Sequence, residues 1–293
     1  MIATMGPNRS TLPSGRAHFQ HGPIDLVIAA DGDADAVQAA HDAAWQRFTT
    51  VLPELVAELP LLRAPVGADC PLHGGVARRM WQACAPYRSG FITPMAAVAG
   101  AVAQDILAHY TGAGIARAWV NNGGDIAIHL TAGQQVRVGL WADLARFRPG
   151  QSSKLHTDAQ FTLTADLPVR GVATSGWRGR SFSLGIADSV TVLARDAAAA
   201  DAAATVIANA VDVSDARIAR LPACQIKDDS DLGERLVTVD VPPLPTPLVD
   251  QALQAGLARA EALRAQGLIW HAALVCQDRW RSTGAALEHQ LVQ

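Results

Sequence analysis

A glycine-containing turn between two apolar runs is the feature that most constrains the fold of this chain. Residues 115–120 (IARAWV) and 126–130 (IAIHL) have the composition of strands, and residues 121–125 (NNGGD) lie between them. Asn-Gly-Gly favours a tight turn because glycine and asparagine adopt positive φ at little cost. The two strands are therefore predicted to pair as an antiparallel hairpin, which excludes a purely parallel sheet.

Strand and helix patterns interleave along the rest of the chain. Alternating or β-branched runs predict strands at 24–30, 135–142, 161–167, 171–175, 181–185, 189–194 and 235–241. Apolar spacing and alanine content predict helices at 37–48, 76–84, 95–110, 196–211 and 248–266. The stretch 53–75, rich in proline and glycine, predicts a connector. We expect an α+β fold in which mixed or antiparallel sheets pack against helices.

The same patterns divide the chain into three consecutive segments. Residues 1–23 are predicted to be irregular, residues 24–247 to form the α+β domain, and residues 248–293 to be a helical segment packed on that domain. The alanine-rich helix at 248–266 and the segment 268–281, with Trp270 and Trp280, allow two interpretations. They could form the interface of a homodimer, or they could simply cover the core.

Composition narrows the class of protein. The chain is 49% hydrophobic and 17% charged, which excludes an intrinsically disordered chain. A net charge of -3 provides no overall basic field, so we expect neither nucleic acid nor an anionic membrane as a partner. No run approaches the roughly 18–20 apolar residues of a spanning helix, and the N-terminus lacks the apolar core of a signal peptide. We therefore expect a cytoplasmic location.

Lysine is almost absent from the chain. Only Lys154 and Lys227 occur among 24 basic residues, so covalent lysine catalysis has two candidates, whereas guanidinium recognition of phosphate or carboxylate has many. The cysteines are scattered, without a CxxC pair or zinc-finger spacing: Cys70, Cys84, Cys224 and Cys276. This pattern favours reduced, partly buried thiols over a zinc site or a disulfide framework.

The first polar cluster that could carry chemistry is the hairpin turn itself. It comprises Asn121, Asn122, Gly123, Gly124 and Asp125. Its backbone N–H groups could form an anion-binding nest, while its side chains hold ribose or amide groups. A plain hairpin turn, in which Asp125 bonds its own backbone, explains the same residues.

The second cluster combines hydroxyls, a glycine and two arginines. It comprises Thr174, Ser175, Gly176, Arg178 and Arg180. Hydroxyl and guanidinium groups suit a phosphate or diphosphate, and Trp177 between them could stack on a planar ring. A solvated loop with surface arginines is the alternative. Neither a GxGxxG motif nor a P-loop occurs in the chain, so neither of these common nucleotide-binding folds is indicated.

The third cluster is formed by Asp201 and Thr205. They lie four residues apart on the helix predicted at 196–211, and therefore on one face of it. Oxygen-only ligands suit Mg²⁺ rather than zinc, and the nearby Asp188 and Asp196 also favour a cation. The alternative is local, with Thr205 bonded to a helix carbonyl and Asp201 exposed.

Five short segments, in this order and spacing, resemble the ApbE-like family, the FAD:protein FMN transferases. They are residues 99–105 (AGAVAQD), 120–126 (VNNGGDI), 174–176 (TSG), 189–194 (SVTVLA) and 200–205 (ADAAAT). The stretch 94–100 (PMAAVAG) is most similar to an uncharacterised branch of that superfamily. The resemblance covers roughly residues 20–210, and the ordered set is far more specific than any single segment.

The resemblance implies the family's own α+β fold, with Mg²⁺ and FAD as cofactors. It implies transfer of FMN to a threonine or serine of an acceptor flavoprotein, with release of AMP. It places the metal ligands at the backbone carbonyl near Ala99 and at Asp201 and Thr205. It places cofactor-lining positions at the turn 122–125 and at 174–176, and it leaves the catalytic residues unknown.

The chain departs from the family pattern in two places. The transferases usually carry a lysine where Gly100 stands, and a His-…-Asp-Pro-x-Thr-Gly stretch where residues 178–185 are RGRSFSLG. Three hypotheses result: an Mg²⁺-dependent FMN transferase, a flavin- or nucleotide-binding accessory protein, and a scaffold that works through protein contacts. The presence of flavin in the purified protein would separate the first two from the third.

Overall fold

The computed structural model describes residues 6–140, 159–179 and 181–284. Its α-helices are α1 (Ala34–Ala57), α2 (Leu59–Leu62), α3 (Gly75–Cys84), α4 (Val98–Leu107), α5 (Ala197–Ala210), α6 (Ala223–Ile226) and α7 (Thr246–Ala265). Short 3₁₀ turns precede and follow α4, at Pro94–Ala97 and Ala108–Tyr110. No helix within the described ranges is long and apolar enough to cross a membrane.

The strands complete an α+β fold, as predicted. They are β1 (Asn8–Thr11), β2 (Ala17–His21), β3 (Ile24–Gly32), β4 (Ile115–Asn122), β5 (Asp125–Leu130), β6 (Gln135–Leu140), β7 (Ala159–Thr164), β8 (Gly171–Ser175), β9 (Ser189–Ala194), β10 (Ala219–Pro222), β11 (Leu236–Asp240), β12 (His271–Cys276) and β13 (Arg279–Ser282). Antiparallel pairing joins β1–β2, β2–β3, β3–β4, β4–β5, β5–β8, β9–β12, β12–β13 and β10–β11. The predicted α+β class is therefore confirmed.

The chain divides into two compact units that interleave along the sequence. The first comprises residues 1–135, 164–173 and 194–202, and the second comprises residues 136–163, 174–193 and 203–293. The division cuts β8 after Ala173 and α5 after Ala202. The division by sequence into 1–23, 24–247 and 248–293 stays a prediction about folding domains.

The sheet of the first unit is built from hairpins. Strands β1 to β5 pair antiparallel in chain order, and β8 pairs with β5 where Val172 lies opposite Ile126. Alternate side chains of β2 and β3 enter the core, so Phe19 and Leu26 are fully buried. The predicted hairpin is confirmed, since Asn122 at the end of β4 pairs with Asp125 at the start of β5.

Two helices cover this sheet and position the polar turn. Helix α1 packs on β2 and β3, α4 packs on β4 and β5, and the two helices contact each other. Phe48 of α1 lies 5.5 Å from Phe19, measured between ring centroids. The first turn of α4 consequently lies beside the sheet that carries the β4–β5 turn.

The second unit contains its own antiparallel strands. Strand β12 pairs with β9 on one side and with β13 on the other, and α7 packs on β12 and β13. Asp250 of α7 contacts Arg279 at 2.8 Å and Arg281 at 2.9 Å, which ties the helix to β13. The pairs β6–β7 and β10–β11 form separate two-stranded sheets.

Both ends of the chain differ from the sequence prediction. Residues 1–23, predicted to be irregular, contain β1 and β2, and β2 pairs with β3 along its whole length. Residues 248–293, predicted to be helical, contain β12 and β13 after α7. These strands are short, and pairing with a neighbouring strand stabilises them more than their own composition does.

Two internal segments also differ. Residues 53–75, predicted to be a connector, are helical as far as Leu62, because the buried Val51 and Leu55 hold α1 together across Pro53. The strand predicted at 181–185 is absent from this described segment. There the Leu184 N–H donates to Asn209 Oδ1 at 2.9 Å, so a side-chain acceptor replaces a ladder bond.

Candidate functional site

The β4–β5 turn is held by its own side chain. Gly123 and Gly124 adopt φ of 67° and 116°, a region that favours glycine. The Gly124 N–H donates to Asn121 Oδ1 at 2.8 Å, so this N–H is directed into the turn rather than towards an anion. Asn121 is therefore a side chain that bonds the turn, a contact that the sequence alternative did not include.

Asn122 connects this turn to helix α4. Its side chain is 5% exposed, and its Nδ2 donates to the carbonyl oxygen of Ala99 at 3.1 Å. Because Asn122 lies at the last position of β4, the sheet fixes where this amide points. The contact orients the Ala99 carbonyl, which the family resemblance names as a metal ligand.

Asp201 reaches the same place from helix α5. Its Oδ2 accepts a hydrogen bond of 2.9 Å from the Gly100 N–H, and the N–H of Ala99 also bonds the carboxylate. Burial raises the pKa of Asp201 well above its ordinary value, and the negative charge of Asp125 raises it further. The two backbone N–H groups act in the opposite direction without reversing the shift.

The helices approach each other closely at this point because position 100 is a glycine. A Cβ atom on Gly100 would lie 2.2 Å from the carbonyl oxygen of Ala197 and 3.0 Å from the nitrogen of Ala198, in the first turn of α5. No side chain fits there without a backbone shift. The close approach brings Asp201 within reach of the N–H groups of α4.

These groups fit a hard divalent cation. The donors near Asp201 are oxygens: the two carboxylates of Asp125 and Asp201, and the carbonyl of Ala99. Mg²⁺ is typically bound by one or two carboxylates, with water or phosphate completing the shell. The described residues contain no group of three or more His, Cys, Asp or Glu side chains placed for a metal, so Asp188, Asp196 and Asp201 do not form the acidic cluster that their spacing suggested.

Thr205, the third predicted ligand, lies on α5 four residues after Asp201. This spacing places the two side chains on one face of the helix. Asp201 belongs to the first unit and Thr205 to the second. The ligand role of Thr205 therefore stays a prediction from helix geometry and family resemblance.

The predicted cofactor-lining residues Thr174–Gly176 lie in the second unit, at the end of β8. Thr174 Oγ1 shares a hydrogen bond of 2.9 Å with Thr191 Oγ1 of β9. Ser175 is partly exposed, and Gly176 packs against the backbone of Asp188. The next residue, Trp177, also fixes the loop, because its backbone N–H donates to the Ala187 carbonyl at 3.0 Å.

Of the two arginines predicted to bind phosphate, only Arg178 lies among the described residues. Arg178 is described, and its Nε lies 3.3 Å from Asp188 Oδ1. Its guanidinium carbon also lies 5.1 Å from the centre of the Trp177 ring, within the range of a cation–π contact. Arg180 lies outside the described residues.

Two further residues lie beside these clusters, and their surroundings were not predicted from the sequence. Cys84, at the end of α3, is fully buried in the first unit, and burial, followed by the charge of Asp201, raises the pKa of its thiol. Asp188 was considered only as part of an acidic cluster, but it is a buried hydrogen-bond acceptor in the second unit. Asp188 is the one charged residue in 186–192, and this was the available signal for it.

Comparison with known proteins gives a matching family model and sequence relatives that cover part of the chain. A family model described as AbpE bacteria matches residues 9–282. The UPF0280 protein of Methanothermobacter thermautotrophicus is 43% identical over 129 residues, 44% of this chain and 46% of that protein, so the match spans about half of the relative. The UPF0280 protein of Methanosphaerula palustris is 34% identical over 201 residues, 67% of this chain and 77% of that protein.

A solved structure also aligns over most of the chain. The apo form of the Pseudomonas stutzeri flavinyl transferase ApbE has a TM-score of 0.48 and 13% identity, and the alignment covers 97% of this chain and 96% of that one. The family assignment rests instead on the match of residues 9–282 and on the sequence relatives. The predicted resemblance is thereby confirmed, and the chain belongs to the ApbE-like family described as AbpE bacteria.

Proposed function

We propose that this protein binds a flavin nucleotide with Mg²⁺ and transfers FMN from FAD to a serine or threonine of an acceptor flavoprotein. Membership of the ApbE-like family supports the reaction class. The observation that carries the proposal is the neighbouring pair Asp125 and Asp201, near the oriented carbonyl of Ala99. A buried carboxylate beside a second negative charge is stabilised by a proton or by a cation.

The proposed metal ligands lie on helices α4 and α5. Asp201 and the Ala99 carbonyl are the proposed ligands, and Thr205 is the third on the basis of its spacing. Mg²⁺, when bound, supplies positive charge that polarises a diphosphate. Asn122 keeps the Ala99 carbonyl oriented, and the Gly100 N–H fixes one oxygen of Asp201.

Two groups of residues are separate candidates for contacts with the nucleotide. One is the turn Asn121–Asp125 of the first unit, and the other is Thr174–Gly176 with Arg178 and Arg180 in the sequence of the second unit. In the transfer, the acceptor hydroxyl oxygen bonds to the phosphorus of FMN, the P–O bond to AMP breaks, and AMP leaves. The hydroxyl proton passes to a base that this proposal leaves unassigned.

A second candidate function is a flavin- or nucleotide-binding module without transfer activity. The contact between Gly100 and α5 favours it, because no lysine fits at the position where the transferases usually carry one. The sequence at 178–185 favours it as well, since the family's His and Asp-Pro residues are replaced there. Binding and transfer therefore need separate measurements.

Binding is tested by thermal denaturation of the wild type with FAD, with Mg²⁺, and with both. We expect Tm to rise most with both, because ligands that bind only the folded state stabilise it. Asp201→Asn should abolish the Mg²⁺-dependent part of the rise. The control is Asp31→Asn, which removes an exposed ion pair with Arg117 in the same unit and should keep the full response. An unchanged Mg²⁺ response in Asp201→Asn would show that the ligand assignment is wrong.

Transfer is tested by incubating the protein with FAD, Mg²⁺ and a candidate acceptor flavoprotein. Covalent flavin on the acceptor with an equal amount of AMP supports the transferase. Bound FAD without AMP supports the binding module, and no flavin binding under any condition contradicts both. A cytoplasmic location and a homodimer stay predictions, and light scattering of the purified protein would decide the second.

A further inference from the structure

Asp188 lies just before β9 in the second unit and is 7% exposed. Burying a carboxylate costs folding free energy unless hydrogen-bond donors compensate for the lost water. The partners of Asp188 therefore show which groups it holds in place. Its two oxygens serve two different segments. One oxygen faces the loop after β8, and the other faces the turn between β12 and β13.

On the loop side, Asp188 Oδ1 fixes two consecutive residues. It accepts a hydrogen bond of 3.2 Å from Trp177 Nε1 and lies 3.3 Å from Arg178 Nε. The Arg178 guanidinium also lies against the Trp177 ring. One carboxylate oxygen therefore sets the orientation of the indole ring and the position of the guanidinium together.

On the turn side, Asp188 Oδ2 accepts a hydrogen bond of 2.6 Å from the Gln277 N–H. Gln277 has a backbone φ of 46°, a value that residues other than glycine rarely adopt. Its side chain bonds the backbone just before α7. The side chain accepts from the Leu244 N–H at 2.9 Å and donates to the Pro242 carbonyl at 2.8 Å. Asp188 is thus anchored to a turn that is fixed independently of the loop.

We propose that Asp188 is a positioning residue that holds Trp177 and Arg178 as a preformed recognition pair for a planar ring bearing a phosphate group. This inference rests on the proposed flavin-nucleotide function, since such a nucleotide has both parts. The indole offers a stacking surface, and the guanidinium recognises phosphate. Asp188 acts through both side chains by fixing them before the ligand arrives, which reduces the entropy lost on binding.

The first experiment measures the Kd of FAD in the presence of Mg²⁺. Asp188→Asn and Trp177→Leu should each weaken binding about tenfold, and the double variant should lose less affinity than the two single losses combined. This non-additivity is expected because Asp188 acts partly through Trp177, while the rest of its effect passes through Arg178. The matched control is Asp250→Asn, which removes the contacts to Arg279 and Arg281 in the same unit and should leave Kd unchanged. Wild-type affinity in Asp188→Asn, or additive losses in the double variant, would overturn the proposal.

The second experiment needs no ligand. In NMR spectra of protein with ¹⁵N-labelled indole groups, the Trp177→Leu variant identifies the Trp177 signal, and Asp188→Asn should shift that signal upfield because its charged acceptor is gone. An unshifted signal contradicts the positioning role. If wild-type protein binds no FAD, the proposed function fails, while this spectrum still decides whether Asp188 holds Trp177.

Folding of the variants is checked by circular dichroism. Should Asp188→Asn fail to fold, Trp177→Phe takes its place, because phenylalanine keeps a stacking ring but removes the N–H that donates to Asp188. We expect this variant to bind FAD several-fold more weakly than the wild type. Wild-type affinity in Trp177→Phe would show that the Asp188 contact is not needed.

Discussion

Gly100 lies so close to Ala197 that a Cβ atom at position 100 would come within 2.2 Å of the Ala197 carbonyl oxygen. This contact gives a steric reason for the missing lysine of the transferase pattern. Neither arginine nor lysine could restore the charge at this position, because helix α5 occupies the space. The lack of a basic side chain at position 100 and the close packing of α4 on α5 are therefore one structural feature.

Substitution of Gly100 should destabilise the protein. Although alanine is normally favoured over glycine within a helix, Gly100→Ala must push α4 away from α5, and we expect a loss of about 1–3 kcal/mol in unfolding free energy. Urea denaturation measures this loss. Gly75→Ala is the control, since Gly75 opens α3 and no atom of the described part of the chain lies within 4 Å of its added Cβ. Equal stability of Gly100→Ala and the wild type would contradict the close approach.

Asn122 should affect both stability and the metal response. Asn122→Ala leaves the Ala99 carbonyl without its 3.1 Å donor, so we expect a loss of about 1–2 kcal/mol and a weaker Mg²⁺-dependent rise in Tm. Asn121→Ala is the control, because Asn121 bonds Gly124 within the turn and does not contact Ala99 in the bonds described. It should lower Tm without reducing the Mg²⁺ response. A full Mg²⁺ response in Asn122→Ala would contradict its role in orienting the carbonyl.

His271 should make stability depend on pH. Burial lowers the pKa of His271 to about 4, with Arg264 acting in the same direction and Glu261 opposing it. Its Nε2 has no hydrogen-bond partner among the described residues, while Nδ1 lies 3.2 Å from Thr283 Oγ1. The unfolded chain takes up the proton near the ordinary pKa of 6.5, whereas the folded protein resists it.

The sign of this effect follows from the lowered pKa. Between pH 6.5 and about 4 the unfolded state binds more protons than the folded state, so stability falls as the pH falls. The contribution of His271 at pH 5 should be a loss of roughly 2 kcal/mol relative to pH 8. His271→Asn removes the titrating group, and its urea denaturation should show a smaller difference between these two pH values. An identical pH difference in both proteins would contradict the assignment.

Gln277 should stabilise the β12–β13 turn through its side chain. Gln277→Ala loses the bonds to Pro242 and Leu244 and keeps the unfavourable positive φ, so we expect a loss of about 1–3 kcal/mol. Gln277→Gly loses the same bonds but relieves the backbone, and it should be the more stable variant by about 1 kcal/mol. Thermal denaturation of the two variants measures the difference in stability that the backbone φ causes, because both variants lose the same hydrogen bonds. If Gln277→Ala is as stable as Gln277→Gly, the backbone does not keep this φ in solution.

Much of the fold could be predicted from local patterns. The β4–β5 hairpin follows from Asn-Gly-Gly, and α5 follows from its alanine content. Strands β2 and β12 were missed, because pairing with β3 and β9 stabilises them more than their own composition does. The opposite error occurs at 181–185 (SFSLG). This segment has a strand-like composition, but the Leu184 N–H bonds the side chain of Asn209 instead of a neighbouring strand.

The sequence by itself determined the α+β class, the hairpin and the family, because turn chemistry, periodicity and ordered motifs are local. Only the tertiary structure decided which groups meet. Asp201 bonds the Gly100 N–H across 101 positions, and Asp188 bonds the Gln277 N–H across 89 positions. Such contacts depend on how helices and strands pack, and no periodicity encodes them. The reason for a glycine at position 100 is visible only when the neighbouring helix is in place.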